Sequence, residues 1–374
     1  MKGTIALVIA VTLAGGIAAL GYQAAARQRD YRELIARGDT ALVDDQTLAA
    51  VEAYSGAIAL RSDSMLAHLR LAETYQRRGN LDEAAREFRV ASNLVPTAAR
   101  PLEELGDVTY QQQRYGRAID AYARAFKFDD RSARVGYKLA LAHYRDGSVD
   151  AALQTVRQSL ALDSKSADAT YLLGLCLRDK HNVAEAVRAF EQTLAIAPGS
   201  IPAREELADL YRLLDRKADE IEQLQALAAL DRNRADRQVA LGLAHHRAGH
   251  SDLAVLTLGS ALERAPDDPS LYRALGQVWL DRARDDRALV KKAREALERI
   301  ASNPTATSDT LTLYARARLQ EGDLDAAERA LQQAMTRFPV DPNAFALYAT
   351  VAARQKRPEA ARRAQAEYEA LASK

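Results

Sequence analysis

The sequence predicts an all-α protein, an α-solenoid of about ten helix-turn-helix units. A Leu followed by Ala or Gly recurs every 34 residues, seven times in strict register. Alanines and large apolar residues recur in the same phase, and no strand pattern is evident. A fixed period of this length is typical of stacked helical hairpins, none of which can bury its apolar face alone. The seven pairs are Leu71–Ala72, Leu105–Gly106, Leu139–Ala140, Leu173–Gly174, Leu207–Ala208, Leu241–Gly242 and Leu275–Gly276.

The other periodic positions give each helix of a unit one apolar stripe. Apolar residues three and four apart predict amphipathic helices. The small residue of each pair allows two helices to approach closely, and glycines fall at the predicted turns, where positive φ favours Gly. The periodic alanines and the large residues four positions later are Ala84 and Phe88, Ala118 and Tyr122, Ala152 and Val156, Ala186 and Phe190, and Ala254 and Leu258.

These residues resemble the tetratricopeptide repeat (TPR) family, whose pattern is a small residue after Leu, then Tyr, Ala, an aromatic, Ala and Pro. Leu71 to Pro96 match it at nearly every position, with Gly79 at the turn. The resemblance covers residues 31–374 and implies a right-handed superhelical solenoid that acts as a binding scaffold. The ten units are expected to begin near Tyr31, Met65, Ala99, Ala133, Ala167, Ile201, Ala235, Pro269, Ser308 and Pro342.

Two units depart from the pattern. The eighth, residues 269–307, is longer than the others, and the extra residues are expected within the charged run Asp281–Val290. A longer helix pair or loop and a hinge between two arms both explain the extra length. The last unit, residues 342–374, has charged residues among its alanines and is expected to be a polar cap.

Residues 1–26 are expected to be a membrane anchor or a signal peptide. Residues 4–22 carry no charge and are long enough to span a bilayer as a helix. Alternatively, Lys2 begins a secretory signal, with Ala24 and Ala26 forming a cleavage motif before Arg27. The length of the apolar stretch favours an uncleaved anchor.

The side of the membrane that the repeats face depends on which of two patterns dominates. Four arginines between residues 27 and 37 would keep the repeats cytoplasmic by the positive-inside rule. A short Met-Lys start before an apolar run is common in exported bacterial chains. We favour a bacterial inner-membrane protein with one span and an extracytoplasmic repeat domain.

Composition and motifs narrow the classes of function. The net charge of +1, with 28% charged residues, argues against nucleic acid as a partner. Cys176, the only cysteine, is expected to be a buried apolar residue. No phosphate-binding, nucleophilic or zinc-protease motif is present. His246 and His250 are four apart, but Gly249 is expected to end the helix between them, so no metal, cofactor or enzymatic activity is predicted.

The candidate binding site is the concave surface, which in the TPR family is lined by the first helix of each repeat. Mapped by repeat phase, the middle repeats place tyrosines and arginines there, the residue types enriched at binding hot spots. The equivalents of the family's Lys and Asn carboxylate-clamp positions are Asp39, Glu73, Asp107 and Leu141, so a C-terminal carboxylate is not the expected ligand. The candidate peptide-binding residues are Tyr110, Arg134, Tyr137, Tyr144, Arg145, Tyr171 and Arg178.

The sequence therefore favours a membrane-tethered scaffold or assembly factor that binds other proteins or peptides in this groove. Residues 4–22 would contact the lipid bilayer, and an envelope complex is one plausible partner. The alternative is a regulatory or substrate-presenting subunit of an envelope enzyme or export complex.

Overall fold

The computed structural model describes residues 2–284 and 286–373, with side chains described from Leu20 onward. In this part of the chain there are twenty helices and no strand. The helices are α1 Lys2–Val43, α2 Thr47–Leu60, α3 Met65–Arg77, α4 Leu81–Leu94, α5 Ala99–Gln111, α6 Tyr115–Phe128, α7 Ala133–Arg145, α8 Val149–Leu162, α9 Ala167–Asp179, α10 Val183–Ile196, α11 Ile201–Leu213, α12 Lys217–Leu230, α13 Ala235–Arg247, α14 Ser251–Arg264, α15 Pro269–Ala283, α16 Arg287–Ala301, α17 Ser308–Glu321, α18 Leu324–Ala334, α19 Pro342–Arg354 and α20 Pro358–Ala372.

The helices pair in sequence order into ten hairpins, five in each of two compact units. The N-terminal unit is residues 1–198 and the C-terminal unit is residues 199–374. Within each unit the second helix of one hairpin packs on the first helix of the next. From the second hairpin onward, every first helix begins at the residue that the sequence analysis expects, with the 34-residue period kept from α3 to α15. The predicted all-α repeat architecture is confirmed.

Serine side chains set the start of several first helices. Ser64, Ser132, Ser166 and Ser200 each accept a hydrogen bond from the backbone N–H three residues later, at 3.2–3.4 Å. Such a cap satisfies one of the donors that a helix start leaves free, and its removal costs about 1 kcal/mol. The inter-helix turns use left-handed backbone, with φ of 78–87° at four glycines. Gly79, Gly147 and Gly249 are separated by two and three repeat periods, and Gly322 follows the longer eighth hairpin, so the turn prediction is confirmed.

The small residue after Leu is where the two helices of a hairpin approach most closely. A Cβ on Gly174 would lie 2.5 Å from a ring carbon of Phe190, and one on Gly242 would lie 2.7 Å from Leu258. Phe190 and Leu258 are fully buried. The repeat period therefore places a residue without a side chain on the first helix opposite a large side chain on the second, and the two fit together sterically.

The extra residues of the eighth hairpin lie at the facing ends of its two helices. Gly276 packs against Leu297, 21 positions later, whereas Gly242 packs against Leu258 after 16 positions. All the extra length therefore lies between Gly276 and Leu297. α15 and α16 both have 15 residues, compared with 13 and 14 in the preceding hairpin. The insertion lengthens the hairpin, and the register resumes at α17.

α1 joins the N-terminal segment to the first repeat without interruption. It runs from Lys2 to Val43, and its second half packs on α2. Tyr31 is buried there and its hydroxyl lies 2.6 Å from that of Ser64. The apolar segment predicted to contact a bilayer, residues 4–22, falls almost entirely outside the residues whose side chains are described. Among the described residues, no helix has the length and apolar character needed to cross a membrane.

Candidate functional site

The seven candidate residues lie on α5, α7 and α9, the first helices of three consecutive hairpins in the N-terminal unit. We call this surface the first-helix face. None of the seven is buried; Arg134 and Arg145 are exposed, and the other five are half-buried. Contacts between neighbouring helices link most of them. The structure therefore brings together side chains that the sequence separates by up to 68 positions.

Ion pairs join α5 to α7. Arg134 donates two hydrogen bonds to Glu103, and Lys138 Nζ lies 2.7 Å from Glu103 Oε1 and 2.6 Å from Asp107 Oδ2. Burial opposes the charge of Lys138, but hydrogen bonds to Asp107 and Glu103 outweigh it and raise its pKa. Tyr122 donates to the other oxygen of Asp107 at 2.6 Å. The acidic residues that flank the candidate patch are thus neutralised within the protein.

A second set of polar contacts joins α7 to α9. The Tyr144 hydroxyl donates to Asp179 Oδ2 at 2.8 Å. Arg178 donates to Asp179 Oδ1 from Nε at 3.0 Å and from a terminal nitrogen at 2.8 Å, and that nitrogen lies 3.4 Å from the Tyr144 hydroxyl. Burial and then the hydrogen bond to Asp179 raise the pKa of Tyr144 to about 12. Tyr144 is therefore neutral throughout the physiological range and holds α9 against α7.

The candidate residues differ in how far their polar groups are already engaged. Tyr110 raises the pKa of Arg145, and the Tyr110 ring packs edge-on against Tyr115 with centroids 5.3 Å apart. The Tyr171 ring packs against Phe190 at 5.5 Å. Tyr137 packs half-buried beside the core around Val156, and within the described part of the chain its hydroxyl has no hydrogen-bond partner. The Tyr137 hydroxyl is thus available for a further hydrogen bond, and the rings of Tyr137 and Tyr171 are both half-exposed.

Two residues central to this site were not identified from the sequence. Lys138 and Glu103 are not among the residues that the sequence predicts for the site, yet Glu103 is buried and Lys138 pairs with it. The sequence does contain a signal for both. Arg134 and Lys138 are one helical turn apart, as are Glu103 and Asp107, and the two pairs are separated by nearly one repeat period.

No group of three or more His, Cys, Asp or Glu residues in the described chain could hold a metal. His246 ends one helix and His250 precedes the next, so the two do not share a helical face. The ring of His246 is committed to Ser251 at 2.8 Å and to Asp281 at 3.2 Å. Cys176 is fully buried, and burial raises its pKa to about 12, which confirms its interpretation as an apolar core residue.

We expect His245 to make the protein less stable in mild acid. Burial and then the neighbouring His250 lower its pKa, and its Nδ1 has no partner. In the unfolded chain a histidine takes up a proton near pH 6.5. The folded state stays neutral, so stability present above about pH 6.5 is lost as the pH falls below it.

His245→Tyr should therefore reduce the loss of unfolding free energy between about pH 7.5 and pH 5.5 in urea titrations. Tyrosine occupies the corresponding repeat position at Tyr75 and Tyr211, so the substitution suits the fold. The control is His181→Asn, a change at an exposed turn residue, which should leave the pH dependence as in the wild type. An equal pH dependence in His245→Tyr and wild type would contradict the prediction.

The fold and the first-helix face define a class, the helical-hairpin repeat proteins. Models of the tetratricopeptide repeat match residues 35–99, 137–201, 239–304 and 314–374, and a further TPR repeat model matches residues 106–147. The chain belongs to the tetratricopeptide repeat family. Proteins of this family bind other proteins or peptides. No curated protein matches the sequence.

Solved structures share the fold at low identity. The chain is similar to the MamA protein (23% identity, TM-score 0.44, covering 45% of this chain and 92% of MamA). It is also similar to Pseudomonas aeruginosa PilF (19%, 0.47, covering 57% and 97%) and to yeast Tom70 (11%, 0.44, covering 91% and 92%). These similarities say nothing of what this chain binds.

Proposed function

We propose that this protein is a membrane-tethered scaffold that binds a partner protein or peptide on the first-helix face. One observation carries the proposal: cross-helix ion pairs between α5 and α7 and a hydrogen bond between α7 and α9 fix the three helices relative to one another and leave the rings of Tyr137 and Tyr171 half-exposed. These contacts order the surface before any partner binds. Preorganisation of this kind lowers the entropic cost of association.

Tyrosine suits this role because its ring offers a large rigid apolar area and its hydroxyl a hydrogen bond. Tyr137 lies near Tyr110, Arg145 and Asp168, each of which affects its pKa, so polar groups surround the ring. The arginines form part of the surface, and the acidic residues that pair with them reduce its net positive charge. We therefore expect the partner segment to place apolar side chains over the rings and neutral polar groups around them.

Tyr137→Ala combined with Tyr171→Ala should abolish partner binding. Aromatic anchors near the centre of an interface often contribute about 2 kcal/mol or more, roughly thirtyfold in affinity. The partner is first identified by crosslinking and mass spectrometry, and its affinity is then measured by calorimetry. The matched control is Tyr272→Ala with Tyr368→Ala, two half-buried tyrosines of the C-terminal unit. Unchanged affinity in the Tyr137/Tyr171 variant would show that the partner does not bind on this face.

The tether would confine the scaffold to a bilayer and raise the local concentration of whatever it binds. Its support is the uncharged segment of residues 4–22, and we propose one span in a bacterial inner membrane with an extracytoplasmic repeat domain. The full-length chain should remain with membranes after carbonate extraction. A chain starting at Arg27 keeps the Tyr31–Ser64 contact and should be released in folded form. If the mature protein is found to begin at Arg27, the N-terminal segment is a cleaved signal peptide and not an anchor.

A further inference from the structure

A cleft of about 420 Å³ lies on the opposite side of the second and third hairpins from the first-helix face. Its walls are α4 and α6, and Leu105 and Thr109 of α5 form its floor. Three arginines line it: Arg89 on α4, and Arg117 and Arg124 on α6. All three are exposed. The cleft therefore combines a partly apolar floor with cationic walls.

The three arginines have no ion-pair or side-chain hydrogen-bond partner in the described part of the chain. Neighbouring arginines on the same helices or faces are paired: Arg86 lies 2.8 Å from Glu83, and Arg157 lies 3.6 Å from Glu185. The α4–α6 cleft thus presents three guanidinium groups whose donors remain available.

The spacing of the charges indicates the shape of the ligand. Arg117 and Arg124 are two helical turns apart, about 10 Å along α6, and Arg89 stands on the opposite wall. A single compact phosphate cannot reach charges so far apart. An extended peptide in the polyproline II conformation, with a carboxylate at every third residue, places a charge on one side about every 9 Å. Arginine binds carboxylates through its planar fork of donors.

We propose that this cleft binds an acidic, partly apolar peptide segment of a partner protein, as a second site independent of the first-helix face. Carboxylates of the segment pair with Arg89, Arg117 and Arg124, and its apolar side chains cover Leu105 and Ala121. Asp120 lies between the two arginines of α6 and would repel the continuous negative charge of a nucleic-acid backbone. A peptide can place a neutral donor beside Asp120, so the lining favours peptide over nucleic acid.

The test measures binding of a fluorescein-labelled peptide, Glu-Ala-Leu repeated three times, to the full chain by fluorescence anisotropy. Its controls are the same peptide with Gln for Glu and an oligothymidylate of nine residues. Wild type should bind the Glu peptide saturably and the other two at least tenfold more weakly, because charge-assisted hydrogen bonds dominate the contact. Absence of saturable binding, or equal binding of the Gln peptide or the oligothymidylate, would overturn the proposal.

Variants locate the site. Arg117→Ala with Arg124→Ala, and separately Arg89→Ala on the other wall, should weaken binding of the Glu peptide, the double variant by about tenfold. The matched control is Arg86→Ala with Arg157→Ala, which removes the same charge from paired, exposed arginines and should change affinity less than about twofold. Thermal melts establish that each variant is folded. Equal losses in the control and cleft variants would show a general charge effect and contradict the assignment.

Discussion

Gly174→Leu is expected to lower the free energy of unfolding by about 1–3 kcal/mol, through overpacking of the hairpin formed by α9 and α10. The added side chain would enter space that the Phe190 ring already fills. Phe190 is fully buried, so the ring can move only if its neighbours move with it. The second hairpin places Ala72 opposite Phe88, which shows that a methyl group can be accommodated there but gives no room for a longer side chain.

The matched control for this prediction is Gly259→Leu. Gly259 also lies inside a helix, α14, but nothing is within 4 Å of the position that its Cβ would occupy. This variant isolates the gain in helix propensity, up to about 1 kcal/mol, that both substitutions share. Urea titrations of both variants and wild type provide the comparison. A Gly174→Leu protein as stable as Gly259→Leu would show that the two helices do not meet as described.

Arg247→Ala should destabilise the C-terminal unit by about 1–3 kcal/mol because it leaves a buried carboxylate without its counter-charge. Glu220 is buried with 5% of its side chain exposed, and its Oε1 lies 2.5 Å from Arg247. The pair joins α12 to α13. Arg247 is 42% exposed, so solvent moderates the loss and the expected value lies below that of a fully buried pair.

Glu220→Ala should have the opposite result, with stability equal to that of wild type or higher. Alanine stands at this repeat position in most other hairpins, at Ala84, Ala118 and Ala186 for example. Replacing a buried ion pair with apolar residues is often neutral or stabilising. The double variant should match Glu220→Ala, because Arg247 has nothing left to neutralise. If Glu220→Ala costs as much as Arg247→Ala, the ion pair itself stabilises the unit and our account of it is wrong.

The repeat period is sufficient to predict the fold because each hairpin packs mainly on its sequence neighbours. One correctly placed pair, such as Leu71 and Ala72, therefore fixes the starts of the first helices from α3 to α15. The continuity of α1 is harder to predict from the sequence. No helix breaker separates Tyr22 from Tyr31, and alanines there favour helix, so the chain has no local signal at which the N-terminal segment ends.

The candidate site was predicted only in part. Repeat phase places Tyr137 and Tyr171 at equivalent positions, and they lie on α7 and α9, two consecutive first helices. That this surface binds a ligand stays a prediction. The phase does not reveal which arginines are already paired, because the pairs depend on side-chain reach between stacked helices. Arg134 was predicted to be available for a ligand, yet both ends of its guanidinium are committed to Glu103. Conversely, the unpaired arginines of the α4–α6 cleft lie at positions that the repeat pattern leaves unspecified.

Site-specific photocrosslinking tests the central claim most directly. A benzoylphenylalanine replaces Tyr137 in one protein and Gln154, on α8 away from the first-helix face, in another. Both proteins are expressed as full-length chains and irradiated in intact cells, and their adducts are compared by mass spectrometry. Our account predicts that position 137 forms an adduct with one discrete partner and that position 154 does not. Adducts of the same partner at position 154 with none at position 137 would contradict binding on the first-helix face.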